Sequence, residues 1–102
     1  MKRILTLDLI AQTPGLDSIR QQTMTETRHT IYAKVLDIHA AEWDTASQKS
    51  LSPAWHLSVF FADFRGESVA EVAGKRYEVY RTHGSGDYIE LYLGEKVGEL
   101  RV

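Results

Sequence analysis

Three groupings of side chains in this sequence have the chemistry for a reaction or a ligand. His83-Gly84-Ser85-Gly86-Asp87 sets an imidazole, a hydroxyl and a carboxylate close together, the components of a hydrolase. The segment lacks the nucleophile-elbow pattern, and its glycines suit a hairpin turn rather than a strand-to-helix turn. Gly84 and Gly86 also begin a dinucleotide-binding pattern, but Ile89 stands in the place of its third glycine. The second grouping is carboxylates in pairs, Glu42 with Asp44 and Asp87 with Glu90; acid-base work would need burial in a pocket to separate their pKa values. The third is Tyr77, Tyr80, Tyr88 and Tyr92, accompanied by Arg76 and Arg81. A sheet face bearing aromatics can stack single-stranded bases, which makes a small nucleic-acid-binding barrel the alternative function. The same tyrosines serve equally as cross-strand pairs or as the centre of a protein interface. His29, His39, His56 and His83 are scattered, at no spacing of a known metal motif, so the sequence implies no metal and no cofactor.

The elements that must position these groups are mostly strands. Ile4 to Ile10 alternates apolar and polar, as a half-buried strand does. After Thr13-Pro14-Gly15, the polar stretch Asp17 to Thr27 has no period and reads as a long surface loop. His29 to Ile38 resumes alternation as strand two. Ala40, Trp43, Ala46 or Ser47, and Ser50 recur at helical spacing, predicting a short helix or helical loop that Leu51-Ser52-Pro53 stops. Trp55 to Phe64 is an aromatic strand with Trp55, Leu57, Val59 and Phe61 on one face. A brief strand over Ser68 to Val72 turns at Ala73-Gly74 into Arg76 to Thr82. Past a loop at Gly84-Ser85-Gly86, the final arm turns Ile89, Leu91 and Leu93 inward and Tyr88, Glu90 and Tyr92 outward. The pattern predicts an all-β domain spanning residues 1–102: a small antiparallel β-barrel or rolled sheet of about six strands, with one short helical insertion between strands two and three.

A chain of 102 residues has room for one core. Its formal net charge of -2 argues against gripping nucleic acid through a concentrated basic surface. Without cysteine there are no disulfides, thiolate metal sites or cysteine nucleophile. Asp8 and Gln12 interrupt the first apolar run before it reaches the length of a signal peptide, and no span approaches membrane-crossing length. Synthesis in the cytoplasm is the expectation.

From about Ile4 to Gly98 the sequence resembles the head-closure, or head-tail joining, proteins of bacteriophages, also called stoppers. The resemblance is carried by Thr25-Glu26-Thr27-Arg28, Ile31-Tyr32-Ala33-Lys34-Val35, Glu42-Trp43 with Ala46, and Leu51-Ser52-Pro53. It continues through Phe64-Arg65-Gly66-Glu67, Gly74-Lys75-Arg76-Tyr77, Val79-Tyr80-Arg81-Thr82 and Asp87-Tyr88-Ile89-Glu90-Leu91-Tyr92. Ser50 departs from it by standing where a glycine often precedes the Leu-x-Pro segment; Trp43 replaces the more usual Phe, and His83 stands where Tyr is common. The resemblance implies a non-enzymatic virion protein forming a homo-oligomeric ring below the portal and adaptor. The ring would retain packaged double-stranded DNA and offer a docking face to the tail. It also implies that the loop between strands two and three, His39 to Ser52, projects into the channel, with His39, Glu42, Trp43, Asp44, Lys49 and Ser52 as channel residues. Glu42, Asp44 and Lys49 would give that loop a near-neutral polar surface past which DNA can slide. Tyr77, Tyr80, Arg81, Asp87, Glu90 and Tyr92 are the hairpin or interface candidates.

Overall fold

The computed structural model describes residues 3–16 and 22–97. Six strands, β1 (Ile4–Leu16), β2 (Gln22–Leu36), β3 (Leu51–Phe60), β4 (Val69–Val72), β5 (Lys75–Ser85) and β6 (Tyr88–Lys96), form a closed ring in the order β1-β2-β3-β6-β5-β4. Every pairing is antiparallel. One short helix, α1 (Ala41–Ser47), lies between β2 and β3, and a 3-10 turn at Phe61–Asp63 follows β3. The all-β expectation with a helical insertion between strands two and three is the architecture found.

The ring closes because each strand contributes alternate apolar side chains to a common interior. Leu7 and Leu9 of β1, Ile31 and Ala33 of β2, Leu57 and Val59 of β3, Ala70 and Val72 of β4, and Ile89, Leu91 and Leu93 of β6 are all buried together. From β5, Tyr77 and Val79 pack against them. Burying one such Leu or Val contributes about 1.5–3 kcal/mol, which is why period two dominates the sequence wherever a strand lines this core.

Several local expectations change. The loop expected over Asp17 to Thr27 is strand from Gln22 onward, since β1 and β2 pair from Ile4↔Lys34 to Leu16↔Gln22; residues 17–21 lie outside the described residues. Closure uses only Asp8–Ile10 of β1 against β4, so beyond Ile10 the β1–β2 ribbon runs on as a two-stranded arm. Thr25 to Arg28 are exposed there, and a strand with no buried face shows no apolar period. Salt links tie the arm's base to the barrel: Arg76 is bidentate to Glu26 at 2.8 and 2.9 Å, and Arg28 reaches Asp8 and Glu71 at 3.2 and 3.4 Å. The hydrogen bonds from Arg76 and Gln12 hold the Glu26 carboxyl down at about 2.

Leu51-Ser52-Pro53 belongs to β3 rather than only ending the helix. Proline is tolerated within the strand because the β3–β6 register shifts between Pro53 and Trp55, leaving Ala54 as an extra residue. Phe61 does not share the inward face of Trp55, Leu57 and Val59; it sits in the 3-10 turn, 56% exposed. Gly84 and Ser85 stay in β5, and the hairpin turn is Gly86-Asp87, with Gly86 at φ 66. Ala73-Gly74 is a two-residue turn with φ of 53 and 81, the backbone of a type I′ hairpin.

Candidate functional site

The outer face of β3, β6 and β5 carries the densest set of polar and aromatic side chains, and α1 covers it. Two bulges shape this face. Ala54 is the extra residue on β3, and the β5–β6 register shifts between Val79 and Arg81, so Tyr80 is extra on β5. The first lies opposite Leu93 and Gly94 of β6, the second opposite Tyr92 and Leu93. The shift keeps Val79 packed on the interior while Tyr80 and Arg81 both reach the outer face. Here Ala46, Leu51, Tyr80 and Tyr92 form a second small core, separate from the barrel interior. Gly94 makes the packing possible, because a Cβ there would sit 3.0 Å from the Leu51 Cβ and 3.1 Å from the Tyr80 ring.

Polar groups ring this patch. Glu42 of α1 is only 5% exposed. Its carboxylate accepts a hydrogen bond from the Tyr80 hydroxyl at 2.9 Å and forms a close ion pair with the Arg81 guanidinium. Burial pushes the Glu42 carboxyl up, but the Arg81 and Tyr80 hydrogen bonds, with the charges of Arg81 and His56, outweigh it and hold the group below its ordinary range. Burial and the hydrogen bond to Glu42 push the Tyr80 hydroxyl far above its usual value, so it stays a donor. Lys49 Nζ donates to the Tyr80 carbonyl at 3.1 Å.

Tyr92 is sandwiched at the centre. His56 stacks on one side at 4.2 Å between ring centroids, and the Arg81 guanidinium lies 4.0 Å from the ring centroid. His56 is itself buried, with Nδ1 2.7 Å from the Asp37 carbonyl and Nε2 2.7 Å from a Glu90 carboxylate oxygen. Each ring nitrogen thus faces an oxygen, one from the backbone and one from a side chain. The His56 hydrogen bond, opposed by desolvation and helped by the Tyr92 hydroxyl at 3.2 Å, holds the Glu90 carboxyl low. Among the described residues no buried side-chain polar atom lacks a partner.

The channel-loop candidates therefore divide. His39, Trp43, Asp44 and Lys49 are exposed, Trp43 at 55%, and Ser52 is half-buried in β3 opposite Glu95. Glu42 is not part of the loop's polar surface: with Ala46 it forms the face of α1 that meets the barrel. The Tyr80 hydroxyl and the Arg81 guanidinium both donate to its carboxylate and hold it there. The hairpin candidates divide too. Tyr80 and Tyr92 lie beneath α1, Tyr77 packs into the interior, and Tyr88 is exposed and stacked on Phe60 at 5.0 Å. The four tyrosines do not make one stacking platform. Arg81 and Glu90 join the covered patch, and Asp87 stands exposed in its turn. His83 is exposed at the same hairpin end, and no three His, Asp or Glu side chains among the described residues come together as a metal site.

Sequence reasoning missed the pairs Glu42–Arg81 and His56–Glu90, whose members lie 39 and 34 residues apart. It also missed exposed apolar side chains at the Phe60 end of β3, where Ile4, Tyr32, Phe60, Phe61 and Tyr88 are each 45–73% exposed. Their signal was present but indirect: Tyr32 and Phe60 occupy the polar positions of otherwise alternating strands. No helix among the described residues is long and apolar enough to cross a membrane. No family model, curated protein or solved structure matches the chain.

Proposed function

We propose that the protein is a head-closure component of a bacteriophage virion, acting by shape rather than by catalysis as a ring of copies below the portal and adaptor. The observation that carries this reading is the six-stranded closed ring with one helical insertion between β2 and β3, on the segment that the sequence resemblance assigns to the channel. Two surfaces suit assembly. The β2 edge meets β3 only at Lys34 to Leu36, which leaves Gln22 to Ala33 without a strand on that side among the described residues. The exposed Ile4, Tyr32, Phe60 and Tyr88 line one hollow beside that edge. Strand addition along an open edge, backed by apolar contact, builds head-to-tail rings when the rotation closes. The exposed Trp43, Asp44 and Lys49 of the insertion would then face the DNA path with mixed charge, obstructing the pore by bulk without binding phosphate tightly.

Removing the gene from the phage or prophage that carries it should leave packaged heads and tails unjoined, with genomes leaking from the heads. Infectious particles formed in its absence would end the proposal.

A further inference from the structure

Helix α1 cannot stand alone. It has 7 residues, and Ala40 at its N-cap makes no side-chain capping bond. Isolated helices below about 12–15 residues are marginal in water, so docking must hold this one. Yet the docked face is small. Ala46 and Glu42 are its buried residues, and Ala46 supplies one methyl group to the Leu51, Tyr80 and Tyr92 patch. No residue of α1 belongs to the barrel interior. Every strand pairing of the ring is made without it. The chain enters through the irregular residues 37–39 and leaves at Ser50, whose φ of 59 an L-residue holds only under constraint.

We infer that α1 is a detachable flap whose catch is the Glu42 carboxylate seated between the Tyr80 hydroxyl and the Arg81 guanidinium. The flap leaves the barrel wall as a unit while the six-stranded ring stays closed. Released, it frees the segment from about His39 to Ser50 to extend, and uncovers Tyr80, Tyr92 and Arg81. The inference rests on the geometry of the single chain and holds whether or not the ring reading does.

Native-state hydrogen exchange on the purified full-length chain, resolved by residue, tests it. The amides of Gln48, Lys49 and Ser50, bonded to the carbonyls of Asp44, Ala46 and Ser47, report the flap; those of Leu91 and Leu93 report the barrel. In the wild type the flap amides should open at least about tenfold more often than the barrel amides. Glu42→Gln should raise flap opening by roughly a further tenfold or more. Arg81→Gln should do the same, and the double variant no more than either, since both remove one pair. Flap and barrel amides that exchange together in the wild type would overturn the inference without any variant. So would flap exchange unchanged by Glu42→Gln, or additive effects of the two substitutions.

Discussion

At the scale of single residues, Glu42 decides most. A carboxylate this buried costs desolvation energy that only charge-assisted hydrogen bonds offset. Glu42→Gln should therefore lower stability by about 1.5–3 kcal/mol in urea unfolding, the range for hydrogen bonds to charged groups. Removing the exposed Lys75–Glu95 pair with Lys75→Ala should leave the unfolding midpoint unchanged. The pH dependence has a definite sign. Glu42 and Glu90 both have folded-state pKa values below the ordinary 4.5, so the unfolded chain binds more protons in that window. Their contribution is fully present above about pH 4.5 and is lost as pH falls through the depressed values. A series of melts between neutral and acid pH should show the midpoint dropping below about pH 4.5, with a shallower drop in Glu42→Gln. None of this was legible in the sequence, because a carboxylate in a short helix looks the same whether it faces solvent or an arginine 39 residues away.

At the scale of elements, turns and bulges set what the strands present. Ala73 occupies the left-handed first position of a type I′ turn, where Asn-Gly is the preferred pair. Ala73→Asn should raise stability by up to about 1 kcal/mol, because Asn tolerates the left-handed conformation better than Ala. Gly94→Ala should have the opposite effect, because its Cβ would press on Leu51 and Tyr80 at 3.0 and 3.1 Å. Overpacking of that kind costs about 1–3 kcal/mol, and calorimetry on both variants distinguishes the two outcomes. The I′ turn was readable from Ala73-Gly74, and the inward face of β6 from Ile89, Leu91 and Leu93. The outward Tyr92 was readable as well, but its burial was not, since what covers it comes from α1, far away in sequence. The arm of Gln22 to Thr27 was misread for a related reason. Its alternating Thr23, Thr25 and Thr27 carry β-propensity, but the residues of this stretch supply no hydrophobic period.

For the whole molecule, the reading as a virion ring separates surface from fold. Phe60→Ser with Tyr88→Ser changes side chains that are 55% and 45% exposed, so the monomer should melt within a few degrees of wild type. If these apolar side chains form a subunit contact, complementation of a deletion phage by that double variant should yield few joined particles. Trp43→Ser with Asp44→Ser touches neither Glu42 nor Ala46, and should impair genome retention while leaving the barrel intact. Normal retention would detach the insertion from the gate.

What the sequence by itself determined is the part ruled by local period. Alternation settles that these segments are strands, which faces are apolar, and that a short non-β insertion interrupts them after β2. Tertiary structure decided everything that depends on which distant groups meet. One extra residue at Ala54 and another at Tyr80 re-aim the chain, and a buried carboxylate finds its partners only once the ring has closed. Hydrophobic burial acts on each strand and leaves a repeating trace. Ion pairing and aromatic stacking act between residues whose neighbourhood exists only in the folded barrel, and leave none.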